Sequence, residues 1–251
     1  MITLSTKSDL VDVQPLGACV TSWQTGGIER IFLHPEFLAN PGATTLGGVP
    51  VLFPQFGEFG SGAIHGTVRS EFWAPIEGGE NYQVFQHDAI TCNGVKCQLS
   101  LLVRLLTNSL QLELKVENVD RDTAEFTCGL HTFLMRDPEL PGKIYGLFCN
   151  RYLDATNALQ TEMDTDFSLA VRAGLDRVYL NVQRPVSFRQ GTSKLVEVDQ
   201  KGFSDVVVWT PSVVSDEDEA GFVCIEAAQI QNPVTLQPGE TWTGSQTLTV
   251  R

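Results

Sequence analysis

Residues 111–119, QLELKVENV, set Leu112, Leu114 and Val116 in strict alternation with Glu113, Lys115 and Glu117. A period of two puts the apolar side chains on one face of an extended chain and the charges on the other, the pattern of a strand with one buried face. Just upstream, LSLLVRLL (99–106) and the Thr107-Asn108-Ser109 stretch read as a partner strand and a turn. Further strands are expected at YQVFQHDAI (82–90), EFTCGLHTFL (125–134), RVYLNV (177–182), VSFRQ (186–190), DVVVWT (205–210), GFVCIEA (221–227) and TWTGSQTLTV (241–250). Gly-Gly, Asn-Gly and Pro-Gly pairs punctuate them. Only ALQTEMDTDFSLAVRAG (158–174) offers helical periodicity, enough for a turn or two. No repeat, flexible linker or shift in composition divides the chain. The expectation is an all-β fold, a large antiparallel β-sandwich forming one domain over residues 1–251.

Composition narrows the function. Of 251 residues, 42% are hydrophobic and 19% charged, an ordinary globular balance. The net charge of −13 argues against nucleic-acid binding, which relies on Lys and Arg to neutralise phosphates. No apolar run reaches the roughly 20 residues of a membrane-spanning helix, and the opening MITLSTKSDLVDVQ lacks the basic and apolar regions of a secretory leader. Cys19, Cys128, Cys149 and Cys224 sit in apolar runs, and Cys92 and Cys97 lack zinc-site spacing. With no N-x-Ser/Thr acceptor, the chain reads as a reduced, cytoplasmic protein without structural disulfides.

Two tempting motifs fail. Gly60, Gly62 and Gly66 have neither the spacing nor the strand-to-helix context of a dinucleotide loop and read as a flexible loop. The acidic run 216–219 lacks the later ligands of a calcium loop, with Ala220 and Ala227 at two of those positions. Four histidines in no ligand spacing give no expected metal site.

Polar residues in apolar surroundings are more informative. His65 and Arg69 lie in AIHGTVRSEFW, His131 in CGLHTFLM, Asp176 at the head of DRVYLNV, and Glu226 in FVCIEAA. Singly, each has an ordinary structural reading as a core histidine, a turn cap or a surface arginine. Together, two imidazoles, a guanidinium and two carboxylates suit a cleft built for acid–base work.

The segments GGVPVLFPQFGEFG, HGTVRSEFW, GLHTFL, DRVY, FSDVVVWTP, FVCIEAA and LQPGETW, running in this order from about Gly47 to Trp242, resemble the aldose 1-epimerase (galactose mutarotase-like) superfamily, and most closely its glucose-6-phosphate 1-epimerase branch. The resemblance implies an antiparallel β-sandwich with a sugar site in its concave face. It implies that His131 is the general acid and Glu226 the general base, with His65, Arg69 and Asp176 binding the sugar. The implied reaction removes the C1 hydroxyl proton and protonates the ring oxygen, with carboxylate and imidazole on opposite sides of the pyranose. The ring opens, C1 turns, and reclosure gives the other anomer.

Neither a metal nor an organic cofactor is expected. The implied partner is a small-molecule sugar or sugar phosphate, glucose 6-phosphate foremost, bound by a monomer. A neutral-aldose mutarotase and a noncatalytic carbohydrate binder are the alternatives. The phosphate-handling branch carries a basic residue before the Gly-Gly pair, where this chain has Leu46 after Thr44 and Thr45. Arg69, Arg136 and Lys143 are the candidates to replace it. Of Trp23, Trp73, Trp209 and Trp242, any could offer a platform to a sugar face, although packing suits most of them.

Overall fold

A computed structural model describes residues 1–35, 47–191, 195–212 and 221–251. Leu46 and the acidic run 216–219 lie outside the described residues. The strand 109–118 is Ser109–Asn118, with Leu110, Leu112, Leu114 and Val116 fully buried on one face. It forms a hairpin with Lys96–Leu106 through a tight turn in which Asn108 adopts φ +55°. The other flank of Ser109–Asn118 pairs with Thr241–Val250. These three strands form the centre of a nine-stranded back sheet.

Facing it, the front sheet runs in the order Gln160–Met163, Arg151–Asp154, Asp176–Tyr179, Asp205–Trp209, Phe222–Leu236, Ala124–Leu130 and Val51–Leu52, and Phe133–Met135 also pairs with Phe222–Leu236. A four-stranded N-terminal sheet, beginning at Ile2–Ser5, completes the architecture. Every strand pairing within the three sheets is antiparallel. The expected antiparallel sandwich is therefore the fold.

The main core draws on all three sheets, for example Trp23, Leu101, Leu114 and Ile225. Burying each such side chain contributes roughly 1.5–3 kcal/mol. In Phe222–Leu236 the alternation has a second use. Val223, Ile225 and Ala227 enter the main core. Cys224 and Ala228 point the other way, into two smaller apolar clusters on the outer face of the front sheet. Glu226 shares that outer face by the same parity.

Two sequence expectations are corrected. Residues 158–174 contain no helical turn; Gln160–Met163 and Ser168–Ala170 are edge strands. Ala158 and Leu159, both at positive φ (50° and 57°), form the bend of a hairpin instead, because the chain there pairs back onto Arg151–Asp154. All six cysteines are free, but Cys149, expected in an apolar interior, is exposed. Its segment 147–150 is a turn in which only Leu147 is buried.

Candidate active site

Strand register builds the floor of a cavity on the outer face of the front sheet. Asp176 lies opposite Trp209, Trp209 opposite Cys224, and Cys224 opposite Phe133. The adjacent row is Val178, Val207 and Glu226. A loop, 53–66, covers the other side. Thr127 on Ala124–Leu130 fastens it, its hydroxyl accepting from Phe56 N (2.8 Å) and donating to Phe59 O (3.0 Å). The cavity volume is about 660 Å³, within the usual size of small-molecule sites. All five residues selected from the sequence, His65, Arg69, His131, Asp176 and Glu226, line it.

His131 and Glu226 meet at the floor, Nε2 to Oε2 3.5 Å, with side chains only 11% and 2% exposed. Glu226 Oε2 has no hydrogen-bond partner. His131 stacks on Phe133, centroids 4.4 Å apart and 11° between planes, and meets Trp209 edge-on. The strand break that presents His131 is tied across the sandwich. The Thr132 hydroxyl donates to Gln246 Oε1, and Gln246 Nε2 donates to Ile225 O, beside Glu226. Gln246 is wholly buried in the back sheet. Gln246→Leu would strand the Thr132 hydroxyl and is expected to cost about 1–3 kcal/mol of stability, measured by denaturant unfolding.

Burial favours the neutral form of both partners. It pushes the Glu226 carboxyl well above its ordinary pKa, and the nearby Asp176 charge adds to this. It also pulls His131 well below its ordinary value, helped by His65 and Arg69. Asp176 is itself raised by burial and then by Asp154. The site thus favours one transferable proton, held on the carboxyl. The neutral and ionic pairs differ only in where that proton sits. The two groups are immediate neighbours on the cavity floor. Side-by-side groups suit two oxygens bonded to the same carbon.

His65 sits at the rim with φ +64°, its ring edge-on to His131 at 5.5 Å. Its Nδ1 accepts from Gly57 N at 3.1 Å, and burial, then Arg69, pull its pKa down to about 4. The ring is therefore neutral near pH 7, with its proton on Nε2. Arg69 belongs to a short 3-10 turn, Val68–Ser70, and donates through Nη2 to Ile64 O at 3.3 Å. It has no carboxylate partner among the described residues. Of the three candidate cations, only Arg69 borders the cavity. Lys143 lies in Gly142–Tyr145 of the back sheet, and Arg136 Nη2 is turned to Pro138 O.

Trp209 is the tryptophan that lines the cavity, while Trp23 and Trp73 are fully buried and Trp242 packs on Phe126 and Phe203. Sequence reasoning missed the apolar walls Phe56, Phe59 and Phe133. Their signal was present in FPQFGEFG and LHTFL, as aromatics beside candidate polar groups.

A protein of Cenchrus ciliaris named "Putative glucose-6-phosphate 1-epimerase" is 26% identical over 264 residues, covering 91% of this chain and 77% of that protein. Slr1438 protein from Synechocystis sp. PCC 6803 shares the fold with a TM-score of 0.84 at 18% identity, covering 99% of this chain and 94% of that one. A galactose mutarotase-like protein from Lactobacillus casei ATCC 334 does so at 0.83 and 13% identity, over the full length of both chains. The family described as aldose 1-epimerase matches residues 1–249, a span holding all three sheets and every group around the cavity, and the chain belongs to that family.

Proposed function

We propose that this protein is a mutarotase acting on a hexose 6-phosphate, glucose 6-phosphate foremost. The observation that carries this reading is the buried His131–Glu226 pair, 3.5 Å apart, at the floor of a sugar-sized cavity. Moving the shared proton to His131 leaves Glu226 as a carboxylate base for the C1 hydroxyl and His131 as an acid for the ring oxygen. After rotation about C1–C2 the two exchange roles and the ring closes. Asp176 accepts from sugar hydroxyls, His65 donates through Nε2, and Trp209 offers an apolar face. A noncatalytic binder would gain little from burying a carboxylate oxygen without a hydrogen-bond partner.

The phosphate falls to Arg69, whose guanidinium can hold phosphate oxygens by charge-assisted bonds against the overall charge of −13. Arg69→Ala is expected to lower kcat/KM for glucose 6-phosphate roughly 10- to 100-fold, the equivalent of about 1.5–3 kcal/mol. Exchange of glucose, followed by NMR under the same conditions, should change little. Added salt should reproduce part of the loss. Equal losses on both sugars would mark Arg69 as structural, and a wild-type preference for free glucose would assign the protein to neutral aldoses.

A further inference from the structure

His131, Cys224 and Glu226 bring an imidazole nitrogen, a thiol sulfur and a carboxylate oxygen within 4.8 Å of one another. Cys224 and Glu226 are two residues apart on one strand, so they project to the same face. Register sets Phe133, the stacking partner of His131, opposite Cys224. Cys224 is fully buried, and Glu226 Oε2, also buried, has no hydrogen-bond partner. We propose that these three side chains form an inhibitory site for a zinc-class divalent ion, which occupies the floor of the cavity in competition with the sugar. The competition, though not the binding, rests on the mutarotase reading.

The geometry fits such an ion. Two ligand atoms held at about 2.0–2.1 Å from a tetrahedral zinc lie about 3.4 Å apart. His131 Nε2 and Glu226 Oε2 are 3.5 Å apart. The sulfur, within 4.8 Å of the other two ligand atoms, needs an approach of about 1.2 Å at most to reach the roughly 3.6 Å separation of a zinc-bound thiolate from its fellow ligands. His131 and Glu226 both line the cavity, which gives an ion its route to them. A thiolate, an imidazole and a carboxylate favour zinc over magnesium or calcium, which take oxygen ligands. On binding, the thiol and the carboxyl each release a proton to solvent and the neutral imidazole supplies its lone pair. The dipositive ion is then balanced by two anionic ligands, as a buried site requires.

The test uses the full chain with Zn²⁺ and Co²⁺ as probes. Zn²⁺ is expected to bind one equivalent by calorimetry, to slow anomer exchange competitively, and to be reversed by a chelator. Co²⁺ should give a thiolate-to-cobalt charge-transfer band. Cys224→Ala and Cys224→Ser, each read against its own metal-free exchange rate, should lose that band and weaken inhibition at least about tenfold. Surface histidines and the exposed thiols are common to all three proteins and cancel in the comparison. Unchanged inhibition in both variants, or a cobalt complex without the thiolate band, overturns the site. Binding with the thiolate band but no effect on exchange overturns the inhibitory role and shows that the pair does not perform the exchange, whereas absence of metal binding leaves the mutarotase reading untouched and rejects this inference alone.

Discussion

Glu226→Gln and His131→Asn are each expected to slow anomer exchange by about 10²–10⁴-fold, the contribution of a positioned acid or base, while both chains remain folded. Gln keeps the volume of Glu226 but can neither take nor give the proton. Asn keeps a polar side chain at residue 131 but loses the titrating ring. Exchange NMR on glucose 6-phosphate reads both. Near-wild-type rates in either variant would remove that residue from the mechanism. Because the pair works with one transferable proton, the wild-type profile should be bell-shaped. The acid limb, where His131 also charges, lies below the ordinary imidazole value because burial, His65 and Arg69 lower it. The alkaline limb, where Glu226 loses its proton, lies above the ordinary carboxyl value because burial and Asp176 raise it.

Stability gives an independent reading of the same carboxyl. The folded pKa of Glu226 is raised, so its favourable contribution is full below the unfolded carboxyl value and is lost as pH rises through the folded value. Glu226→Gln has no such loss. Its melting temperature should therefore exceed that of the wild type near neutral pH, and the gap should close as pH falls towards 4. A buried group that costs stability yet is needed for turnover is the usual signature of a functional site.

Much of this was legible in the chain because strands announce themselves by period two. Tyr82–Ile90, Val186–Gln190 and Thr241–Val250 begin and end where their sequence patterns do. Residues 158–174 misled because edge strands need no buried face: every residue of Gln160–Met163 is exposed, so nothing there alternates by burial. The candidate site was legible for a different reason. Glu226 and His131 are polar in apolar segments, and an unpaired buried polar group demands a use. Cys224 carried no such signal, since a thiol in FVCIEAA reads as a small hydrophobe until the register sets it beside Phe133. The proton state of the pair was equally invisible, because it depends on the depth of the floor and on Asp176 from a strand two positions away.

Gly66→Ala should be among the most damaging small substitutions in the chain. Gly66 has φ +67° and forms a parallel bridge with Phe53, the residue that follows the edge strand Val51–Leu52. A Cβ there would lie 1.9 Å from Phe53 O and 2.3 Å from Phe53 C, both backbone atoms. Phe53 cannot yield, since its ring is fully buried against Phe126 at 5.0 Å. The segment from Ala63 to Arg69 must move instead, carrying His65 and Arg69 away from the rim. Left-handed strain of about 1 kcal/mol and overpacking of about 1–3 kcal/mol together predict a loss of roughly 2–4 kcal/mol in denaturant unfolding. Gly94→Ala separates the two terms, because Gly94 has φ +84° but open space around its Cβ position. It should show only the strain, about 1 kcal/mol, with full activity. In Gly66→Ala, the His131–Glu226 floor stays in place, so the kinetic loss should fall mainly on KM for the sugar phosphate. If Gly66→Ala proves as mild as Gly94→Ala, the rim is free to shift and cannot be what positions His65 and Arg69 over the floor.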